Sequence, residues 1–252
     1  MTDRVYATPV FGVGLLGIVS KLLAEGNQHQ QLSKFLAKEV SDKGLKYIEA
    51  GEGIYLYLYD DLGGWSKGGP LPWGKSIKGT PTIGIGYTHF SEGISEKAFV
   101  KKYKIFTKEN PMPYKTVWAL FSKTIKSKYS PEVRKVTEFL DLTQHQFDVL
   151  TDVCYNIGIY SILGHPNTLG GKRKPELYGK DKGFLGLAKL GKLDKKTISD
   201  FFDNLYLFKS SKVALGIRCR HKGNKELYFS GIYKSLKGNK KTGQCYVDKE
   251  IT

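Results

Sequence analysis

Between Gly53 and Gly63 the chain reads Ile54-Tyr55-Leu56-Tyr57-Leu58-Tyr59-Asp60-Asp61, an alternation of aliphatic and aromatic side chains. A period of two fits a β-strand with one aliphatic and one tyrosine face, and it does not fit a helix. Just upstream the period is different. Ser41 has the chemistry of a helix N-cap, and Leu45, Ile48 and Glu52 follow on one helical face. Gly51 and Gly53 close that helix around Glu52. Gly63 and Gly64 signal a turn, and Thr82-Ile83-Gly84-Ile85-Gly86 begins a second short strand whose glycines allow close backbone approach. A helix followed by a β-hairpin is the expected local fold.

This arrangement places two carboxyls in opposed surroundings. Glu52 ends an apolar stripe, where burial favours the protonated acid. The alternation puts Asp60 on the aliphatic side and Asp61 on the tyrosine side, polar and hydrated beside the turn. One protonated and one ionised carboxyl, with the Thr82 hydroxyl nearby, are what hydrolysis of a glycosidic bond requires. Taken alone, a Glu and an Asp nine residues apart are ordinary surface charges. The glycine-rich run also lacks the GxGxxG phosphate fingerprint. The order helix, Glu, strand, Asp, turn, Thr-x-Gly-x-Gly is what lifts the functional reading.

These residues resemble the active-site segment of the phage-type lysozymes, glycoside hydrolases that include the endolysins of T-even phages. In that family Glu-Gly is followed by an alternating strand, Tyr-x-Asp, a turn and Thr-Ile-Gly-x-Gly. Two later stretches carry the same resemblance. Leu142-Thr143-Gln144-His145-Gln146-Phe147-Asp148-Val149-Leu150, then Cys154-Tyr155-Asn156-Ile157-Gly158, is similar to a helix of the family's second lobe. Phe201 to Lys212, Gly216-Ile217-Arg218-Cys219-Arg220-His221, Leu227-Tyr228 and Gly231 resemble its closing motif. The likeness covers about residues 41–233 with gaps.

The resemblance implies an α+β, lysozyme-like two-lobed fold with the cleft between the lobes. The small helix-plus-hairpin lobe would span about 41–100 and the all-helical lobe about 101–236, after an N-terminal extension (1–40) and before a basic tail (237–252). It implies a muramidase that cuts the β-1,4 bond between N-acetylmuramic acid and N-acetylglucosamine in peptidoglycan. Glu52 would be the acid, Asp61 the water-assisting carboxylate and Thr82 the water-positioning hydroxyl, with Tyr59, Tyr155 and Asn156 on the substrate side. No cofactor or metal is implied. Departures from the pattern are the long Leu62–Pro81 loop with Trp65, Lys67, Trp73, Lys75 and Lys78, Tyr87 in place of a His with His89 beyond it, and His221 and Asn224 in place of Arg and Glu. A catalytically silent wall-binding or virion module with the same fold is the alternative.

A formal charge of +16 implies an anionic partner. Peptidoglycan carboxylates and other anionic wall polymers meet that need, and no zinc-finger, RNP or helix-turn-helix signature supports nucleic acid. The three cysteines cannot all pair and lack metal spacing; Cys154, in an apolar helical run, reads as a buried free thiol. The five histidines are scattered and show no HExxH or triad order. Pro9 to Ala24 is apolar but short for a bilayer span, and it lacks a basic n-region and a clear cleavage site. A packed helix and a weak membrane signal-anchor both remain open for it, and Gln30 to Val40 reads as amphipathic. Gly170–Gly183 is a basic insert, and the polar tail from Lys237 is expected to be mobile. The expected setting is synthesis in a bacterial host cytoplasm and action in the periplasm or on the wall. Free endolysin, virion enzyme and secreted effector, with an immunity or virion protein as partner, are all compatible.

Overall fold

Ser41 caps the first helix as its spacing predicts, its hydroxyl accepting from Gly44 N at 2.9 Å. In this computed structural model residues 38–61, 77, 79–163, 183–205 and 212–252 are described. Met1–Lys38 and Glu39–Thr252 are separate compact units, and the account below concerns the second. The apolar Pro9–Ala24 stretch, most of the Gln30–Val40 pattern, most of the Leu62–Pro81 loop and nearly all of the Gly170–Gly183 insert lie outside the described residues.

Helix α1 (Asp42–Ala50) leads through Gly51 and Glu52 into β1 (Ile54–Asp60), which pairs antiparallel with β2 (Pro81–Ile85). Strand β3 (Tyr87–Thr88) completes a sheet of order β1-β2-β3. The alternation does yield a strand, but not an uninterrupted ladder. Tyr55 faces Gly84 and Tyr59 faces Thr82, so the intervening residues bulge. Their backbone pairs elsewhere: Leu56 O accepts from Met112 N at 2.7 Å, and Leu58 N donates to Phe106 O at 3.2 Å. Gly86 requires glycine for two reasons. Its φ is +64°, and a Cβ there would lie 2.5 Å from the Tyr155 hydroxyl.

Two short helices, α2 (His89–Glu92) and α3 (Glu96–Tyr103), precede α4 (Tyr114–Thr124). A π turn over Ile125–Tyr129 joins α4 to α5 (Ser130–Thr137). Helix α6 (Gln144–Ile157) opens with a reciprocal Thr143–Gln146 capping box, and Phe147 to Cys154 are all buried. It is the central helix of the second core. Around it lie α7 (Tyr160–Leu163), α8 (Phe184–Lys189), α9 (Lys195–Asn204) and α10 (Lys212–Ser230). The chain closes with a hairpin, β4 (Lys234–Gly238) and β5 (Cys245–Glu250). The fold is therefore α+β, as the resemblance implies.

Two apolar cores form. One gathers Leu45, Ile48, Leu58, Ile83, Ile85, Phe99 and Phe121, and the other gathers Tyr47, Phe147, Leu150, Phe184, Phe202 and Leu227. Helix α1 serves both, since Leu45 and Ile48 face the first while Tyr47 faces the second. Val40 belongs to the first core and donates its backbone N–H to Ser130 Oγ at 3.0 Å, so the packed unit begins before residue 41.

The residues beyond Lys237 do not form the mobile tail expected of them. Their polar sequence lacks an aliphatic face, so the strand period is hidden. A Cys219–Cys245 disulfide with an S–S length of 2.03 Å fastens β5 to α10, and Lys237–Asp248 and Lys234–Glu250 ion pairs span the ladder. Cys154 is left as the buried free thiol that the sequence suggested.

Candidate active site

Glu52 sits just past the C-cap of α1, its backbone N–H donating to Glu49 O at 2.9 Å. Its side chain is 21% exposed, and its Oε1 receives Nη1 of Arg220 from α10. The apolar surroundings expected for Glu52 are thus replaced by a guanidinium. Arg220 approaches because Gly51 has no side chain: a Cβ there would lie 3.1 Å from Arg220 Cζ. The other edge of Arg220 grips Asp152 through Nη2 and through Nε, the latter at 3.1 and 3.2 Å from the two oxygens. Asp152 Oδ2 also accepts from Asn224 Nδ2 at 2.7 Å, and Asn224 Oδ1 accepts from Tyr47 Oη at 2.7 Å. Burial opposes the charge on Arg220, but the Asp152 and Glu52 carboxylates outweigh it and raise the guanidinium further above its usual range.

No local sequence pattern announces this network. In the sequence Arg220 and Asn224 stand only as parts of the closing motif. Asp152 offered a signal of its own, an acid one turn beyond Asp148 inside a helix that is otherwise apolar on its inner face.

The sheet brings the remaining candidates to the same region. Asp61 N donates to Thr80 O at 3.3 Å, Thr80 N donates to Asp61 Oδ1 at 2.5 Å, and Thr82 Oγ1 donates to Thr80 O at 2.9 Å. Asp61 and Thr82 are therefore fixed through one residue's backbone. Thr82 is buried; its hydroxyl proton is committed to Thr80 O, and its lone pairs can still accept. Asp60 is buried at the strand end and accepts from Gly79 N at 2.8 Å.

Tyr59 feels both carboxylates. Burial first, then Glu52, Tyr55 and Asp61, push its phenol well above the usual range, so it stays neutral. Tyr155 is raised chiefly by burial and next by Glu52, and its hydroxyl donates to Ile85 O at 2.6 Å. A Cβ on Gly86 would lie 3.9 Å from Glu52 Oε2, which brings the β2–β3 turn, Tyr155 and Glu52 into one group. Asn156, in the last turn of α6, has a buried Oδ1 with no hydrogen-bond partner among the described residues. No group of three or more His, Cys, Asp or Glu among the described residues could hold a metal ion.

Residues 52–169 match the family model described as phage lysozyme. The matched segment is consistent with a phage-type lysozyme. It starts at Glu52 and includes Asp61, Thr82, Tyr155 and Asn156. Similar solved structures include an endolysin from Escherichia coli O157:H7 phage FAHEc1, at 19% identity over 77% of this chain and 96% of that one, with a TM-score of 0.47. The active form of the P1 phage endolysin Lyz is similar at 17% identity over 86% and 94% of the two chains, with a TM-score of 0.47. The muramidase domain of SpmX from Asticaccaulis excentricus is similar at 18% identity over 77% and 99%, with a TM-score of 0.45. A search of curated proteins gives no match.

Proposed function

We propose that the chain is a muramidase that hydrolyses the β-1,4 bond between N-acetylmuramic acid and N-acetylglucosamine. The family acts on peptidoglycan, and the site supports assigning the same substrate here. The observation that carries the reading is the Glu52–Arg220 pair. A buried, doubly anchored guanidinium holds Glu52 Oε1 and fixes the orientation of a carboxyl that is still partly exposed.

Glu52 would deliver a proton to the leaving glycosidic oxygen through Oε2. Asp61 would assist water and stabilise the positive charge that develops on the sugar, and the Thr82 lone pairs would orient that water. Tyr155 and Gly86 shape the wall beside Glu52 and Tyr59 closes the strand side, while the unpartnered Asn156 Oδ1 offers an acceptor. Fixing these groups before substrate arrives reduces the reorganisation needed in the transition state.

The Cys219–Cys245 bond supports action outside a reducing cytoplasm, in the periplasm or on the wall. Among the described residues no helix is long and apolar enough to cross a membrane. The test is turnover of purified, protein-free peptidoglycan by the oxidised full chain. New reducing ends on N-acetylmuramic acid are expected. Reducing ends on N-acetylglucosamine, or peptide bond cleavage alone, would overturn the bond assignment.

A further inference from the structure

Helix α10 carries charge on the side away from the catalytic group. At 100° per residue, Arg220 and Asn224 turn inward with Cys219, Gly223 and Leu227, while Arg218, Lys222 and Lys225 share the outer face. That face forms one wall of a cavity of about 460 Å³. The opposite wall is the end of the β4–β5 turn, Gly243–Cys245, and Asp203 completes the lining.

The charges are unbalanced. Lys225 Nζ holds both oxygens of Asp203, at 2.6 and 2.8 Å, which neutralises the one acid among the described residues of the lining. Arg218 spends one N–H on Gly243 O, and a guanidinium has five. Lys222 is exposed and makes no ion pair or hydrogen bond among the described residues. Arg218 and Lys222 therefore lack a matching acid among the described residues.

The turn wall is fixed in place. The disulfide ties Cys245 to Cys219 on α10, Asn239 Oδ1 accepts from Lys241 N at 2.9 Å, and Gly243 N donates to Asn239 O at 2.8 Å. A preformed cavity loses less freedom when a ligand binds. Lys240 and Lys241 extend the positive field along the exposed turn.

We propose that this cavity is a binding site for phosphate-type anions, separate from the hydrolytic cleft. A forked guanidinium beside a single ammonium suits the spread oxygens of a phosphate, and the residual charge favours a ligand with repeated phosphates. Two sources share that chemistry, a phosphodiester-linked wall polymer and the headgroups of an anionic lipid surface. The site stands whether or not the cleft cuts glycans.

The test measures binding of the oxidised full chain to a glycerol phosphate oligomer, and to phosphatidylcholine vesicles with and without phosphatidylglycerol. Lys222→Glu should weaken binding by about tenfold, the effect of losing one charge-assisted contact. Lys192→Glu makes the same charge change at another exposed position and should weaken it by less than about twofold, as a screened surface charge does. Lys222→Ala gives a milder companion should the reversal perturb folding. Binding to the oligomer alone assigns the wall polymer, and binding that needs phosphatidylglycerol assigns the lipid surface. Equal losses for Lys222→Glu and Lys192→Glu, or no binding of either probe, would overturn the site.

Discussion

The guanidinium of Arg220 and the carboxylate of Asp152 form a sealed pair, 7% and 1% exposed, and Glu52 meets the free edge of that pair. A buried ion pair is weak evidence for stability in itself, because desolvation offsets much of the attraction. Its effect here is geometric: Asp152 and Asn224 allow Arg220 one position, and Arg220 hands that position to Glu52.

Glu52→Gln should remove turnover by ~10²–10⁴-fold or more while the fold survives, because the amide keeps the shape but donates no acid proton. The rate on purified peptidoglycan and a thermal melt check both halves. Near-normal turnover would remove Glu52 from the acid role.

Arg220→Ala should cost both stability and activity. It leaves the Asp152 charge buried without its partner, which costs about 3–5 kcal/mol. Arg220→Lys should retain more stability, yet one ammonium cannot hold Asp152 along one edge and Glu52 along the other as the guanidinium does. A fall in kcat with little change in KM would show that Arg220 positions the acid; a change in KM alone would place it in substrate binding.

Asp61→Asn should lower the rate by ~10²-fold or more. Asp60→Asn should leave the rate nearly unchanged, since the amide oxygen can still accept from Gly79 N. The stability change at Asp60 should stay within about 1 kcal/mol. The reverse order of sensitivity would shift the assisting carboxylate by one residue.

If water attacks directly, the first sugar product should be the α-anomer from the β-linked glycan. Single displacement needs the carboxyls about 6.5–9.5 Å apart, against about 5–5.5 Å for a covalent route. NMR of a short digest, read before mutarotation, decides this. A β-anomer appearing first would remove the water-positioning role given to Thr82.

The thiol of Cys154 should ignore a disulfide reagent at neutral pH. Burial, and next the nearby Glu132 carboxylate, push it well above its usual range, so little thiolate forms. One thiol should appear when the chain is unfolded without reductant, since Cys219 and Cys245 are paired. Removing that pair by Cys219→Ser with Cys245→Ser should lower stability by about 3 kcal/mol. Three titratable thiols without reductant would contradict the disulfide.

The hairpin and its leading helix were legible because they are local. Ser41, the tyrosine alternation and the paired glycines act within a few residues of one another. The Glu52–Arg220 contact joins residues 168 positions apart, and no periodicity encodes it. Hence the sequence presents Glu52 as a carboxyl on an apolar face and gives no sign of the guanidinium that holds it. The closing hairpin was hidden for another reason. Cys245 to Glu250 lie mostly exposed, with covalent and ionic support in place of an apolar face, so the usual strand signature is absent. The bulge in β1 was hidden because loop backbone, at Phe106 and Met112, takes up the strand's spare hydrogen bonds.

Asp148 fastens two distant parts of the chain to its own helix, α6. Its carboxylate accepts from Ser41 N and Oγ, from Gln144 Nε2 and from Tyr233 Oη. The start of the packed unit, its middle helix and its closing hairpin therefore meet on one buried side chain. Shortening the chain through Ser41 would remove two of those four hydrogen bonds at once and leave Gln144 and Tyr233 to hold the carboxylate, so Ser41 marks how far the unit can be trimmed from its start.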